Sequence, residues 1–266
     1  MECNMEQLYY YQTYNDDVVT NENQDYKLPD NYEWIKSSFW DRIKSSVVYA
    51  LAIVGGYLYC KFGLHLRVVG RKKLNENRSR GFFLYGNHTQ MVADVFLPAI
   101  ACLGKRIYTI VSPANYGLPV IGKLLPALGA LPIPDSMSMM KKFQKAIAAR
   151  IEQKHVVVIF PEAHVWPYYT KIRPFTNTSF HYPVEQHAPV YALTTTYQKR
   201  LIGKKPKTTL YVDGPFYPDQ TLSAKEQRAK LCESVSAVMQ QRSKNSNYEY
   251  ISYIKREERI DSSNVK

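Results

Sequence analysis

Asn87-His88-Thr89-Gln90-Met91-Val92-Ala93-Asp94 places an imidazole and a carboxylate close together directly after the apolar run Gly81-Phe82-Phe83-Leu84-Tyr85-Gly86. A carboxylate beside an imidazole fixes its tautomer and raises its basicity, as a general base acting on a hydroxyl requires. A second acid, Glu162, follows another apolar run in His155-Val156-Val157-Val158-Ile159-Phe160-Pro161-Glu162-Ala163. Strand ends in open α/β sheets face the ligand crevice, so this acid is a site candidate, or else it caps the loop that follows. Taken alone, the His88 and Asp94 pair also fits the polar start of a helix, which is the commoner arrangement.

These residues need elements to hold them. The apolar run before His88 reads as a short buried strand, and Val92 to Leu103 reads as a helix kinked at Pro98. Further strands are expected at Arg106 to Val111, His155 to Phe160, Val190 to Tyr197 and Thr208 to Val212. Helices are expected at Val120 to Leu128, Ser136 to Gln153 and Ser223 to Arg242, the last opening on the capping box Ser223-Ala224-Lys225-Glu226. This alternation predicts an α/β fold: a single domain with a mostly parallel central sheet flanked by helices.

Charge is unevenly distributed. The formal net charge is +12, yet residues 1–33 carry eight acids, Glu2, Glu6, Asp16, Asp17, Glu22, Asp25, Asp30 and Glu33, against Lys27 alone. That leader is −7, which leaves +19 on the rest and points to an anionic partner. The leader is polar, acidic and tyrosine-rich, so it reads as disordered or loosely docked and not as a secretory signal. Cys3, Cys60, Cys102 and Cys232 lack metal-ligand spacing, so reduced thiols and no metal site are expected. No Gly-x-Ser-x-Gly elbow marks a serine hydrolase, and no nucleic-acid-binding motif accompanies the basic charge.

Between Lys44 and Lys61 lie sixteen uncharged residues, Ser45 to Cys60, interrupted by Gly55-Gly56. A span needs about 20 apolar residues, so the run fits an interfacial anchor better than a crossing helix. Trp34, Phe39, Trp40, Tyr57 and Tyr59, with Lys36, Arg42, Lys44, Lys61 and Arg67, supply the aromatic and basic flanks of such an anchor.

The order of these blocks resembles the glycerolipid acyltransferase family typified by bacterial 1-acylglycerol-3-phosphate acyltransferases. Asn87-His88 with Asp94, Pro119-Val120-Ile121-Gly122 through Gly129-Ala130-Leu131, Phe160-Pro161-Glu162-Ala163 and Pro189-Val190 match its four blocks, over roughly Leu64 to Asp213. Three positions differ from the family pattern. Five residues separate His88 from Asp94 where the family has four; Pro134 or Asp135 stands for the second-block arginine; Ala163 stands for glycine and Val165 or Trp166 for the third-block arginine. Lys105, Arg106, Lys123, Lys141, Lys171 or Arg173 could take over the substrate phosphate.

The resemblance implies a leader over 1–33, a membrane-associating helical segment over 34–70, an acyltransferase domain over 71–242 and a polar tail over 243–266. It implies an O-acyltransferase of phospholipid synthesis that moves a fatty acyl group from acyl-CoA or acyl carrier protein, as co-substrate with no cofactor, to a lysophospholipid hydroxyl. His88 and Asp94 are then the catalytic candidates; Asn87, Gly122, Phe160, Pro161, Glu162, Lys171 and Arg173 are the substrate-binding ones. A backbone N–H near Gly122 or Gly129 would serve as oxyanion donor. Implied partners are a membrane phospholipid surface, a lysolipid acceptor and an acyl thioester donor, with no nucleic acid. The implied location is the cytoplasmic face of the cell membrane, monotopic or single-span. Two other readings share the scaffold: transfer to a different lipid hydroxyl or amine, and non-catalytic lipid binding.

Overall fold

The computed structural model describes residues 8–19, 25–35 and 38–256. Glu2, Cys3, Glu6, Glu22, Lys36 and the end of the tail, 257–266, lie outside the described residues. The strands are β1 (Leu8–Tyr11), β2 (Arg67–Val69), β3 (Phe82–Gly86), β4 (Ile107–Val111), β5 (Ala130–Pro132), β6 (Val156–Ile159), β7 (Val190–Gln198), β8 (Lys207–Phe216) and β9 (Ser252–Lys255). The helices are α1 (Phe39–Leu58), α2 (Leu97–Ala101), α3 (Ile121–Leu128), α4 (Met137–Glu152), α5 (His181–Glu185) and α6 (Ala224–Ser243).

Phe82 to Gly86 is apolar throughout because both faces of β3 are covered, as in parallel sheets generally. β3 is hydrogen-bonded to β6 on one side and β7 on the other, inside a sheet ordered β2-β8-β7-β3-β6-β4-β5. Every pairing in that sheet is parallel except β7 with β8. Side chains alternate between faces, so Phe83, Tyr85, Val157 and Val190 pack with Phe143 and Ile147 of α4 and Leu231 and Val235 of α6. Phe82, Leu84, Val158 and Tyr191 pack on the other face with Leu97 and Ile100 of α2 and with Cys60. Ser223 and Glu226 form the expected capping box of α6.

Three expectations change. No continuous helix runs from Val92 to Leu103: Ala93–Val95 is a 3-10 turn and α2 is a separate helix. Pro98 has no N–H to donate to the carbonyl four residues back, which breaks the turn of helix that would join them. Residues 8–19 and 25–35 of the leader, expected to be disordered or loosely docked, are packed on the domain: β1 pairs in parallel with β9, Tyr9 stacks on Tyr253, and Trp34 is buried against Phe143. The sheet also begins at Arg67, before the expected domain boundary at residue 71, and β9 draws part of the polar tail into the fold.

With the turn that follows it, α1 forms a 25-residue helix, Phe39–Gly63, long and apolar enough to cross a membrane by length and composition. It lies along the domain. Ser45 Oγ donates to Ala127 O at 3.2 Å, Tyr49 OH accepts from Ile107 N at 3.2 Å, Gly56 admits the Phe96 ring, and Cys60 is buried. These residues recur at helical spacing and define one inward stripe. Phe39, Trp40, Val47, Leu51, Val54 and Leu58 stay exposed on the rest of the surface.

Asp213 of β8 ties three elements together, accepting from Arg242 Nε of α6 at 2.7 Å and Lys73 Nζ at 2.6 Å. Burial pushes its carboxyl up, but the hydrogen bonds from Arg242 and Lys73 outweigh it and leave the group below the ordinary carboxylate range. A depressed folded-state value stabilises above the unfolded one and loses that contribution as pH falls. Asp213→Asn is therefore expected to cost about 1–2 kcal/mol near neutral pH, a figure discounted for the partly exposed cations, with the deficit shrinking below the carboxylate range. Urea denaturation of both proteins across pH checks this; a deficit independent of pH contradicts it.

Candidate active site

β3 ends at Gly86, and the chain then turns through Asn87 and His88 at the carboxyl edge of the sheet. Asn87 is buried, and its side chain acts as a substitute strand rung: Nδ2 donates to Thr195 O at 3.0 Å and Oδ1 accepts from Thr195 N at 2.7 Å. His88 N donates to Glu162 Oε2 at 3.1 Å, and its carbonyl accepts from Trp166 N at 2.9 Å. The backbone of His88 is thus fixed on both sides.

His88 Nδ1 lies 2.7 Å from Asp94 Oδ2, inside hydrogen-bond reach. The same carboxylate oxygen accepts from Gln90 N at 2.9 Å. Five intervening residues would misplace the pair on a continuous helix, since each added residue rotates a position by about 100°. They meet because residues 87–92 are not helical and Asp94 sits in its own 3-10 turn, so the extra residue is absorbed there. Burial pushes the Asp94 carboxyl up; the hydrogen bond and charge of His88 and the Gln90 amide oppose this. The His88 side chain is 23% exposed against 5% for Asp94, so solvent and ligand reach the imidazole and not its partner. Its ring stacks on Phe160 with centroids 4.5 Å apart.

Beneath the pair lies a polar layer that sequence reading did not pick out. Tyr197 OH is 2.7 Å from Thr89 Oγ1 and accepts from Gln90 Nε2 at 3.0 Å, holding the turn that carries the Asp94-binding amide. The signal for it was Thr194-Thr195-Thr196-Tyr197, a polar run in a strand buried along almost its whole length.

Several substrate-binding candidates are buried and bonded inside the fold. Glu162 and Arg173 are buried together, with side chains 0% and 1% exposed and Nη2 3.2 Å from Oε2. Glu162 Oε1 also accepts from Arg173 N at 2.9 Å, while the guanidinium donates to Tyr14 O at 3.1 Å and to the His164 carbonyl, and lies over the Trp166 ring. Burial pushes the Glu162 carboxyl up and the charge of Arg173 opposes it. Both groups and Asn87 are buried and bonded internally, which keeps them from a substrate phosphate. Gly122 packs against the Tyr116 carbonyl, where a Cβ would collide. The N–H groups of Gly122 and Gly129 donate to Leu118 O at 2.9 Å and Pro126 O at 3.3 Å, which removes both as oxyanion donors.

Phe160, stacked on the imidazole, and Pro161 are half-buried, and Lys171 is exposed. Of the other cations considered, Lys105 donates to the Arg80 and Lys154 carbonyls and Arg106 to Ser45 Oγ and Ala127 O, whereas Lys123 and Lys141 are exposed. Ala163 has φ 63°, the left-handed conformation that glycine adopts without strain, which accounts for the glycine of the family pattern at this place. Trp166 is fully buried, and its indole donates to Asp16 O at 2.9 Å.

A family model described as Acyltransferase matches residues 65–196. Among solved structures, the 1-acyl-sn-glycerophosphate (LPA) acyltransferase PlsC from Thermotoga maritima is similar with a TM-score of 0.53 and 17% sequence identity, over 79% of this chain and 83% of that one. At that identity the likeness is one of fold. No curated protein matches the chain.

Removing one partner of a buried ion pair leaves an uncompensated charge, at about 3–5 kcal/mol. Arg173→Gln is expected to lower unfolding free energy by about that much in denaturant titration. A variant of wild-type stability with a raised KM would instead return Arg173 to substrate binding.

Proposed function

Residues 65–196 belong to the acyltransferase family, and from that premise we propose that this protein moves a fatty acyl group from an acyl thioester to the hydroxyl of a lysophospholipid, with 1-acylglycerol-3-phosphate as the leading acceptor. The observation that carries the proposal is the 2.7 Å contact between Nδ1 of the partly exposed His88 and buried Asp94. With Nδ1–H donated to the carboxylate, Nε2 is left as an acceptor. It takes the proton of the acceptor hydroxyl as the oxygen attacks the thioester carbonyl; the C–S bond then breaks, and the thiolate of coenzyme A or acyl carrier protein recovers that proton. Phe160 stacks on the imidazole and, with Pro161 next to it in the chain, lines the acceptor side in this reading.

A long-chain acceptor is held in a lipid surface, so the enzyme must meet one. The exposed apolar face of α1 supports docking on a membrane, and its packing along the domain supports a helix that lies in the interface and does not cross. The end of that helix approaches the site: Gly56 meets Phe96, and Cys60 is buried in the same cluster as Ala93, the neighbour of Asp94. Docking α1 would bring the imidazole to the lipid headgroups, on the cytoplasmic side in this reading.

One observation favours a second reading, transfer to another lipid hydroxyl or amine. Arg173 is held internally, which leaves exposed Lys171 as the cation of the predicted substrate set. Assay of the purified protein with lysophosphatidate, uncharged lysolipids and a labelled acyl thioester separates the two.

His88→Ala is expected to abolish acyl transfer with the far-ultraviolet circular dichroism unchanged. Asp94→Ala is expected to lower kcat by about 10²–10⁴ with a smaller effect on KM. Turnover retained by the His88 variant contradicts the mechanism.

A further inference from the structure

β3 and β7 run parallel with Gly86 opposite Leu193, but β7 continues to Gln198 before the chain reverses into β8. At about 3.3 Å per residue, the connecting loop therefore projects about 17 Å beyond the end of β3, from the sheet edge that carries His88. Its sequence, Lys199-Arg200-Leu201-Ile202-Gly203-Lys204-Lys205-Pro206-Lys207, holds five cations and no acid. At its tip Leu201 is fully exposed and Ile202 is 87% exposed. Two adjacent aliphatic side chains held in water have no folding role.

The loop is braced at its base. Arg200 Nη2 donates to Gly63 O at 2.6 Å and Nε to Pro206 O at 3.1 Å, and Tyr248 OH donates to Lys204 O at 2.9 Å. Gly63 ends the 25-residue helical segment of α1, and its neighbour Phe62 is 65% exposed. The bracing thus sets the tip beside the end of the apolar helix face.

We propose that the β7–β8 loop is a second membrane contact, in which Leu201 and Ile202 enter the acyl boundary while the surrounding lysines bind anionic phospholipid headgroups. The charge of the loop complements an anionic lipid surface, and its paired aliphatic tip is suited to an apolar phase and not to an acidic protein face. With α1 it gives a second point of attachment beside the end of that helix, which fixes the tilt of the domain and aims the carboxyl edge of β3 at the lipid. This inference rests on the reading of α1 as a lipid contact and adds a charge-dependent component to it.

Vesicle sedimentation of the full chain tests it, using phosphatidylcholine alone and an equimolar mixture with phosphatidylglycerol. Wild type is expected to bind the mixed vesicles more tightly. The double variant Lys199→Gln/Lys205→Gln is expected to bind them about tenfold more weakly while keeping its binding to phosphatidylcholine. Leu201→Ser/Ile202→Ser is expected to weaken binding to both by about tenfold, with turnover of detergent-dispersed substrate unchanged. Leu51→Glu probes the α1 reading separately and is expected to weaken binding to both vesicle types. Loop variants that bind like wild type, while Leu51→Glu does not, overturn the loop contact alone; wild-type binding by Leu51→Glu overturns the α1 reading. Retention on immobilised acyl carrier protein that is lost in the lysine variant, with vesicle binding unaffected, would assign the charge to the donor and also overturn the proposal.

Discussion

A carboxylate with no exposure to water must find all its partners inside the fold, and in this protein Glu162 finds them on the segments that build the site. It accepts from the His88 amide, from the Arg173 amide and from the Arg173 guanidinium. Through those bonds the turn after β3 and the loop after β6 hold each other in place. The packed leader joins them, because Arg173 and Trp166 donate to the carbonyls of Tyr14 and Asp16. Unpaired, Glu162 would be costly enough to disfavour any arrangement that separated these segments.

What this fixes is the backbone of His88; the imidazole is then set by a second layer. Asp94 receives the ring nitrogen and the Gln90 amide, and Tyr197 secures Thr89 and Gln90 from the strand below. The arrangement leaves a single imidazole partly exposed and buries everything that orients it. A base used on a lipid hydroxyl gains from this, since water reaches few of the groups whose positions matter.

Much of the fold was legible because burial leaves a plain mark on a parallel sheet. β3, β4 and β6 fall on apolar runs, β7 and β8 on runs rich in β-branched and aromatic residues, and the Ser223 capping box marks the start of α6. β5 was invisible, being three residues that end in proline, and β1 and β9 lie in polar, tyrosine-rich sequence whose pairing is set by contacts far apart in the chain. Pro98 predicts a kink, and in the fold it separates two short helical pieces instead. That same break is what lets an irregular His-to-Asp spacing close. The site was legible in its residue types and less so in their roles. Asn87, Glu162 and Arg173 carry groups that suit substrate binding, and their burial and internal pairing are set by contacts far apart in the chain. Sequence cannot show where a guanidinium's donors go.

The central claim is that Asp94 holds His88 with its proton on Nδ1, leaving Nε2 free to take one from a hydroxyl. Nitrogen-15 chemical shifts of the His88 ring, measured at a pH where it is neutral and compared with Asp94→Ala, report the tautomer directly. A protonated Nδ1 and unprotonated Nε2, with that preference lost in the variant, is the predicted result. A proton on Nε2 in the wild-type protein would contradict the account.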